Sequence, residues 1–189
     1  MLEHFLGAER QAQAQAVAMA PPFLDLDPAT IPVQPRTLPH HLAAVALPTR
    51  GETAAPMVYI DPVRACKVDQ GALAVSMSHE FFHALIWREV SMQTQDAVHP
   101  DDLTDFEHEA MAVGFEVIAA NRPTPNPLRE AFLAHIEQVD PHIRREAVRL
   151  MAEAARRAEP ITQPIAPDPS PVLSMRLVEA ALEEGGYHG

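Results

Sequence analysis

The stretch GALAVSMSHEFFHALIWREV, Gly71 to Val90, decides how this chain is read. It contains no proline, and no glycine after its first residue, and its apolar content suits a mostly buried helix. Within it runs His79-Glu80-Phe81-Phe82-His83, an HExxH motif. Residues four apart share one helix face, so both imidazoles can reach a single cation. Zinc accepts neutral imidazole nitrogens, and its catalytic sites use three protein ligands while keeping a fourth position for water. Glu80 stands beside the first histidine, where a carboxylate can take a proton from that water. Met77, Phe81, Phe82, Ala84 and Leu85 are apolar, as a helix buried behind a metal requires. The motif therefore predicts two ligands, His79 and His83, a base, Glu80, and a third ligand elsewhere. Phe82 and Trp87 read as core residues of the same helix.

Upstream, residues 1–20 read as an Ala/Gln-rich amphipathic helix ended by Pro21-Pro22. A proline-punctuated stretch follows to about Pro39, with room for a short strand near Ile31 to Gln34. Leu42 to Leu47 and Met57 to Ile60 are short apolar runs, expected to be two strands in a hairpin-like arrangement, with Asp61-Pro62 stopping the second. Downstream, a polar loop from Ser91 to Pro100 leads into a helix from about Asp101 to Asn121. Two more helices are expected at about Pro127 to Val139 and Pro141 to Glu159, each with proline near its first turn. Pro160 to Pro171 holds five prolines and reads as a linker, and a last helix, Val172 to Glu184, ends at Gly185-Gly186. The expected organisation is one α+β domain over residues 1–159, with 1–39 as an N-terminal helix and extension, then the linker and a C-terminal helix over 172–185.

With 189 residues, 47% of them hydrophobic, the chain is long enough to bury a proper core as one domain. Its formal charge of −12 argues against nucleic acid as the main partner, because phosphate binding needs clustered Lys and Arg. Cys66 is the one cysteine, so no intrachain disulfide forms, which fits a reducing compartment. Met1 to Ala20 lacks the basic start and apolar middle of a signal peptide. No run approaches the ~20 apolar residues of a membrane span. The expectation is a cytoplasmic protein with no membrane partner.

Three continuations can supply the third ligand. The metzincin pattern needs Gly and a third His soon after the motif, where this chain has Ile86 and Glu89. His99, sixteen residues after His83, occupies the place used by SprT-like proteases, but Pro100 follows it and the cysteines of a zinc ribbon are missing. The segment Phe106-Glu107-His108-Glu109-Ala110-Met111-Ala112-Val113-Gly114-Phe115-Glu116 resembles the E-x-E-A-x-x-F-A helix of the ImmA/IrrE family of short intracellular metallopeptidases. That resemblance covers residues 57 to 123 and departs from the family at Met111 and at Gly114-Phe115. It implies a zincin-like fold of the gluzincin type, with Glu109 as the third zinc ligand and a protein or peptide as substrate.

Helical spacing bears on the same segment. Asp102, Asp105, Glu109 and Glu116 fall at 0, +3, +7 and +14, one acidic stripe. Such stripes are usually solvated, but Phe106, Ala112 and Val113 flank this one, so part of it must face protein. Glu107 and Glu116 stay open as rival ligands. Asp102, Asp105 or Glu116 can accept the free N–H of a ligating histidine. Tyr59, His108, His135, His142, Tyr187 and His188 are all available to stabilise an oxyanion, and sequence does not rank them. His40-His41 reads as a surface pair.

The expected function is hydrolysis of peptide bonds by a zinc-activated water, with Glu80 as general base. A zincin-fold binding or regulatory module and a zinc hydrolase of non-peptide bonds are the rivals. An extended groove beside a free strand edge would favour peptide, and a closed pocket a small molecule.

Overall fold

The computed structural model describes residues 1–20, 26–50, 52–93, 100–122 and 125–158. In chain order it has helix α1 (Leu2–Met19), strands β1 (Val33–Pro35), β2 (Ala43–Ala46) and β3 (Met57–Ile60), and helices α2 (Pro62–Ala65), α3 (Gln70–Gln93), α4 (Asp105–Ala120), α5 (Arg129–Gln138) and α6 (Pro141–Ala158). Short 3-10 turns at Pro28–Thr30 and Pro100–Asp102 precede β1 and α4. The fold class is α+β, with six helices and a three-stranded mixed sheet among the described residues. The expected linker and C-terminal helix lie outside them. No helix among the described residues is long and apolar enough to cross a membrane.

The sheet order is β1-β3-β2, with β1 parallel and β2 antiparallel to β3. The expected hairpin is therefore present, in register from Ala43 opposite Ile60 to Ala46 opposite Met57. Asp61 ends β3 and caps α2: its carboxylate accepts the backbone N–H groups of Val63, Arg64 and Leu38, each at 2.9 Å. One buried side chain thus ends a strand, starts a helix and anchors the segment leading into β2.

Helix α3 is the axis of the molecule. Leu73, Met77, Phe81, Phe82 and Leu85 are all fully buried, as expected for a helix apolar on most faces. Against one side packs α1, through Ala8, Ala12 and Ala16, all buried at four-residue spacing. These small side chains let the two backbones approach closely; a side chain at the neighbouring Gly7 would strike that of Gln70. Against another side, Phe82 stacks on Phe115 of α4 and Phe132 of α5, with centroids 5.5 and 6.2 Å away. Val58 and Ile60 bring β3 into the same core. Trp87 is only half-buried, and its indole N–H donates to the Pro48 carbonyl at 3.0 Å, tying α3 to the end of the β2 segment.

Two boundaries differ from expectation. Helix α4 starts at Asp105, because Thr104 and Glu107 form a capping box in which each satisfies the other's backbone N–H. Asp101 and Asp102 instead sit in the preceding turn, where they accept the Arg50 backbone N–H at 2.9 Å and its guanidinium at 3.1 Å. Helix α5 starts at Arg129, two residues later than its proline suggested.

Candidate metal centre

His79 and His83 face α4 from one side of α3, each 8% exposed, while Phe81, Phe82, Ala84 and Leu85 between and beyond them are buried. The capping box fixes the start of α4 and hence its rotation. Glu109 and Glu116, two turns apart on one face, then point at α3. Glu109 Oε1 lies 3.3 Å from His79 Nε2, and its Oε2 lies 3.2 Å from His83 Nε2. The two Nε2 atoms are 3.1 Å apart. A tetrahedral zinc with bonds of 2.0–2.1 Å has donor–donor edges of about 3.3 Å. Each histidine Nε2 thus stands within about this distance of the other and of one Glu109 oxygen, so the three side chains are grouped closely enough to share a cation.

Glu116 is fully buried beneath this triad. Its Oε1 accepts from His79 Nδ1 at 2.8 Å and its Oε2 from His135 Nδ1 at 3.0 Å. A carboxylate cannot donate, so both imidazoles carry a proton on Nδ1, and the Nε2 of His79 is left to face the centre. Burial works against the charge on Glu116, but the bonds from His135 and His79 outweigh it and keep the carboxyl below its ordinary value. The bonds from His79 and His83 hold Glu109 well below the usual carboxylate range. Burial also opposes charge on His79, yet Glu109 and Glu116 overcome it and raise that imidazole well above its ordinary value. Burial dominates at His83 and lowers it. The two carboxylates thus draw positive charge to the point where the Nε2 atoms converge, which suits a divalent cation bound by two imidazoles and one carboxylate.

Glu80 lies on the groove side of His79. Burial pushes its carboxyl up to about 7, against the charge of His79, while Glu109 adds to the rise. The Val45 backbone N–H on β2 pulls the other way. That proximity shows how the sheet meets the site. Leu42 accepts from the Asp61 N–H across the ladder, so alternation turns the backbone groups of Ala43 and Val45 away from β3, toward the free edge of β2. Two cavities of about 430 and 380 Å³ run along this edge. They share His41, Ala43, His79, Glu80 and Glu109, so they form one groove with the donor triad at its midpoint.

The structure brings together His79, Glu80, His83 and Glu109. Of the three acidic residues expected to support a ligating histidine, only Glu116 does so; Asp105 is exposed at the groove, and Asp102 is bound to Arg50 in the turn before α4. Glu107 is spent on the capping box and reaches neither histidine. His99, Tyr187 and His188 lie outside the described residues. Among the unranked candidates, His135 lines the groove and is fixed by Glu116, with its ring 5.7 Å from that of His79. His108 lines the other half, 5.8 Å from the ring of His83. His142 is exposed, and Tyr59 lies beneath the Arg36 guanidinium at 4.8 Å. His40 and His41 are exposed, as expected of a surface pair, but they also form the groove wall. The role of His135 was hidden because it lies 19 residues beyond Glu116, across the break at Pro125 and Pro127, and no local spacing connects the two.

Among the described residues, donors converge in two groups: His79–His83–Glu109 and His79–Glu116–His135. The second has hydrogen-bond geometry and shares His79 through its other nitrogen, so it supports the first. In comparison with known proteins, no family model, no curated protein and no solved structure matches the chain.

Proposed function

We propose that this chain is a zinc-dependent metallopeptidase with a zincin-like fold of the gluzincin type. One observation carries the reading: the His79–His83–Glu109 donor set, with Glu80 beside it, opens onto a groove that follows the free edge of β2. His79 and His83 hold the metal through Nε2, and Glu109 through its carboxylate. Bound there, zinc supplies a Lewis acid and lowers the pKa of a coordinated water toward neutrality.

The chain's own groups supply the rest. Glu80 takes a proton from the attacking water and returns it to the leaving amine nitrogen. Ala43 presents its outward N–H and C=O, and Val45 its C=O, to which an extended peptide adds as a strand. Glu116 fixes the tautomer of His79 and, through Nδ1, the ring of His135. The Nε2 of His135 is then the nitrogen left for a substrate in the groove.

Three features favour this reading over its rivals. Glu109 stands within 3.3 Å of both histidines, which favours it over His99 as the third ligand. A long groove on a strand edge suits a peptide better than a small molecule, and a pure binding module has no use for a base at Glu80. The test is to incubate the zinc-loaded protein and its chelator-stripped form with a peptide library. Zinc-dependent cleavage is the expected result; absence of cleavage by the stoichiometrically loaded protein would overturn the proposal.

A further inference from the structure

A third cavity, of about 680 Å³, continues the groove past the metal on the side of His40 and Leu42, which it shares with the 430 Å³ cavity. Its apolar lining is half-buried Leu38, Leu42 and Val68, with exposed Val63 at the rim. Its walls are braced from beneath. Asp61 binds the backbone of Leu38 on one side and of Val63 and Arg64 on the other. The Arg64 guanidinium reaches across to the Pro39 carbonyl at 3.0 Å. This bracing occupies the one carboxylate lining the cavity with three backbone donors, and it occupies part of Arg64 as well. Lys67 is left over. It is exposed at the rim, and no carboxylate among the described residues pairs with it. It is also the only lysine in a chain whose net charge is −12.

The geometry points to this cavity as a specificity subsite that takes an apolar segment of the substrate ending in a carboxylate, with Lys67 as the cation that recognises it. The inference rests on the peptidase reading and deepens it by naming a substrate class. Two arguments support it. The cavity is continuous with the groove along β2, so a peptide paired with Ala43 and extended toward residue 38 reaches it. Charge favours the same assignment. An acidic protein repels acidic peptides over most of its surface, so a cation at one end of the groove both selects an anionic group and sets its register. The anion is either an Asp or Glu side chain or the peptide's own C-terminal carboxylate. The same cation serves both.

Lys67 touches none of the proposed zinc-binding or catalytic groups, so its replacement isolates the subsite. Positional-scanning peptide libraries, made with free and with amidated C-termini, are incubated with zinc-loaded wild type, Lys67→Arg and Lys67→Glu. The wild type should prefer Asp or Glu over Lys or Arg at one distal position, or prefer free over amidated C-termini, by about 2- to 5-fold, as an exposed charge pair allows. The first pattern assigns the carboxylate to a side chain and the second to the C-terminus. Lys67→Arg should keep the preference and Lys67→Glu should abolish or reverse it, through KM and not kcat, with zinc content unchanged. An identical profile for wild type and Lys67→Glu would overturn the subsite while leaving the peptidase standing. Failure of the zinc-loaded wild type to cleave any library member would overturn both.

Discussion

Glu116 Oε1 accepts a hydrogen bond from His79 Nδ1 at 2.8 Å, at a point with no solvent access. This bond couples the centre of the fold to the candidate metal centre, because it sets which nitrogen of His79 is free to bind. Glu116→Gln keeps the volume but gives up the charge and one acceptor. We expect it to fold and to lose about 10- to 100-fold in zinc affinity, measured by competition with a chromogenic chelator. Glu116→Ala leaves the N–H groups of buried His79 and half-buried His135 without their acceptor and should also cost on the order of 3 kcal/mol in stability.

Zinc competes with a proton for His79. Because its neighbouring carboxylates raise this imidazole, the metal-free fold carries the proton at neutral pH, and zinc uptake must release it. Affinity should therefore climb about tenfold per pH unit until His79 deprotonates by itself. The metal-free fold behaves in the opposite sense. The stabilisation from His79 is complete below its unfolded value of about 6.5 and is lost as pH rises through the elevated folded value. Thermal melts of the stripped and loaded protein across this range should diverge as pH increases; parallel curves would contradict the coupling.

His135→Ala should leave zinc stoichiometry unchanged, because the ring meets His79 only edge-on, at 5.7 Å between centroids, and supplies no donor to the His79–His83–Glu109 group. Cleavage should fall by about 10²-fold, the usual loss when one hydrogen-bonding group is removed from the reacting centre. A drop in zinc content to match would make His135 structural instead.

Strand pairing with substrate is tested at Ala43, whose backbone N–H points to the free edge. Ala43→Pro removes that donor without breaking a bond to β3 and is tolerated at an edge. KM should rise by about 2- to 10-fold, the value of one hydrogen bond, with zinc binding intact. An unchanged KM would place the peptide elsewhere in the groove.

The contact of α1 with α3 depends on small side chains. Ala12 is fully buried between Ala8 and Ala16, so Ala12→Leu should overpack the interface and cost about 1–3 kcal/mol, read as a lowered Tm.

Much of this arrangement was legible in the chain, and the part that was not has physical reasons. The apolar run around His79 marks its helix, and short apolar runs bounded by prolines mark β2 and β3, because both signals are local. The acidic stripe already held Glu109 and Glu116, but spacing alone could not separate them from Asp102 and Asp105. That separation comes from the Thr104 capping box, whose Thr-x-x-Glu signature was readable, and which starts the helix after Asp102. Two features depend on contacts distant in sequence: the parallel pairing of Val33 with Val58, and the bond from His135 to Glu116. Neither leaves a trace in local pattern, since each joins residues about 20 or more positions apart in the chain.

The most direct test of the account is a comparison of Glu80→Gln with wild type, both loaded with zinc to one equivalent and incubated with the same peptide library. Glu80 lies outside the donor triad and its amide analogue has the same shape, so fold and zinc content should be unchanged. Cleavage should fall by about 10²- to 10⁴-fold, the usual contribution of a general base. Cleavage by Glu80→Gln at the wild-type rate would contradict the account.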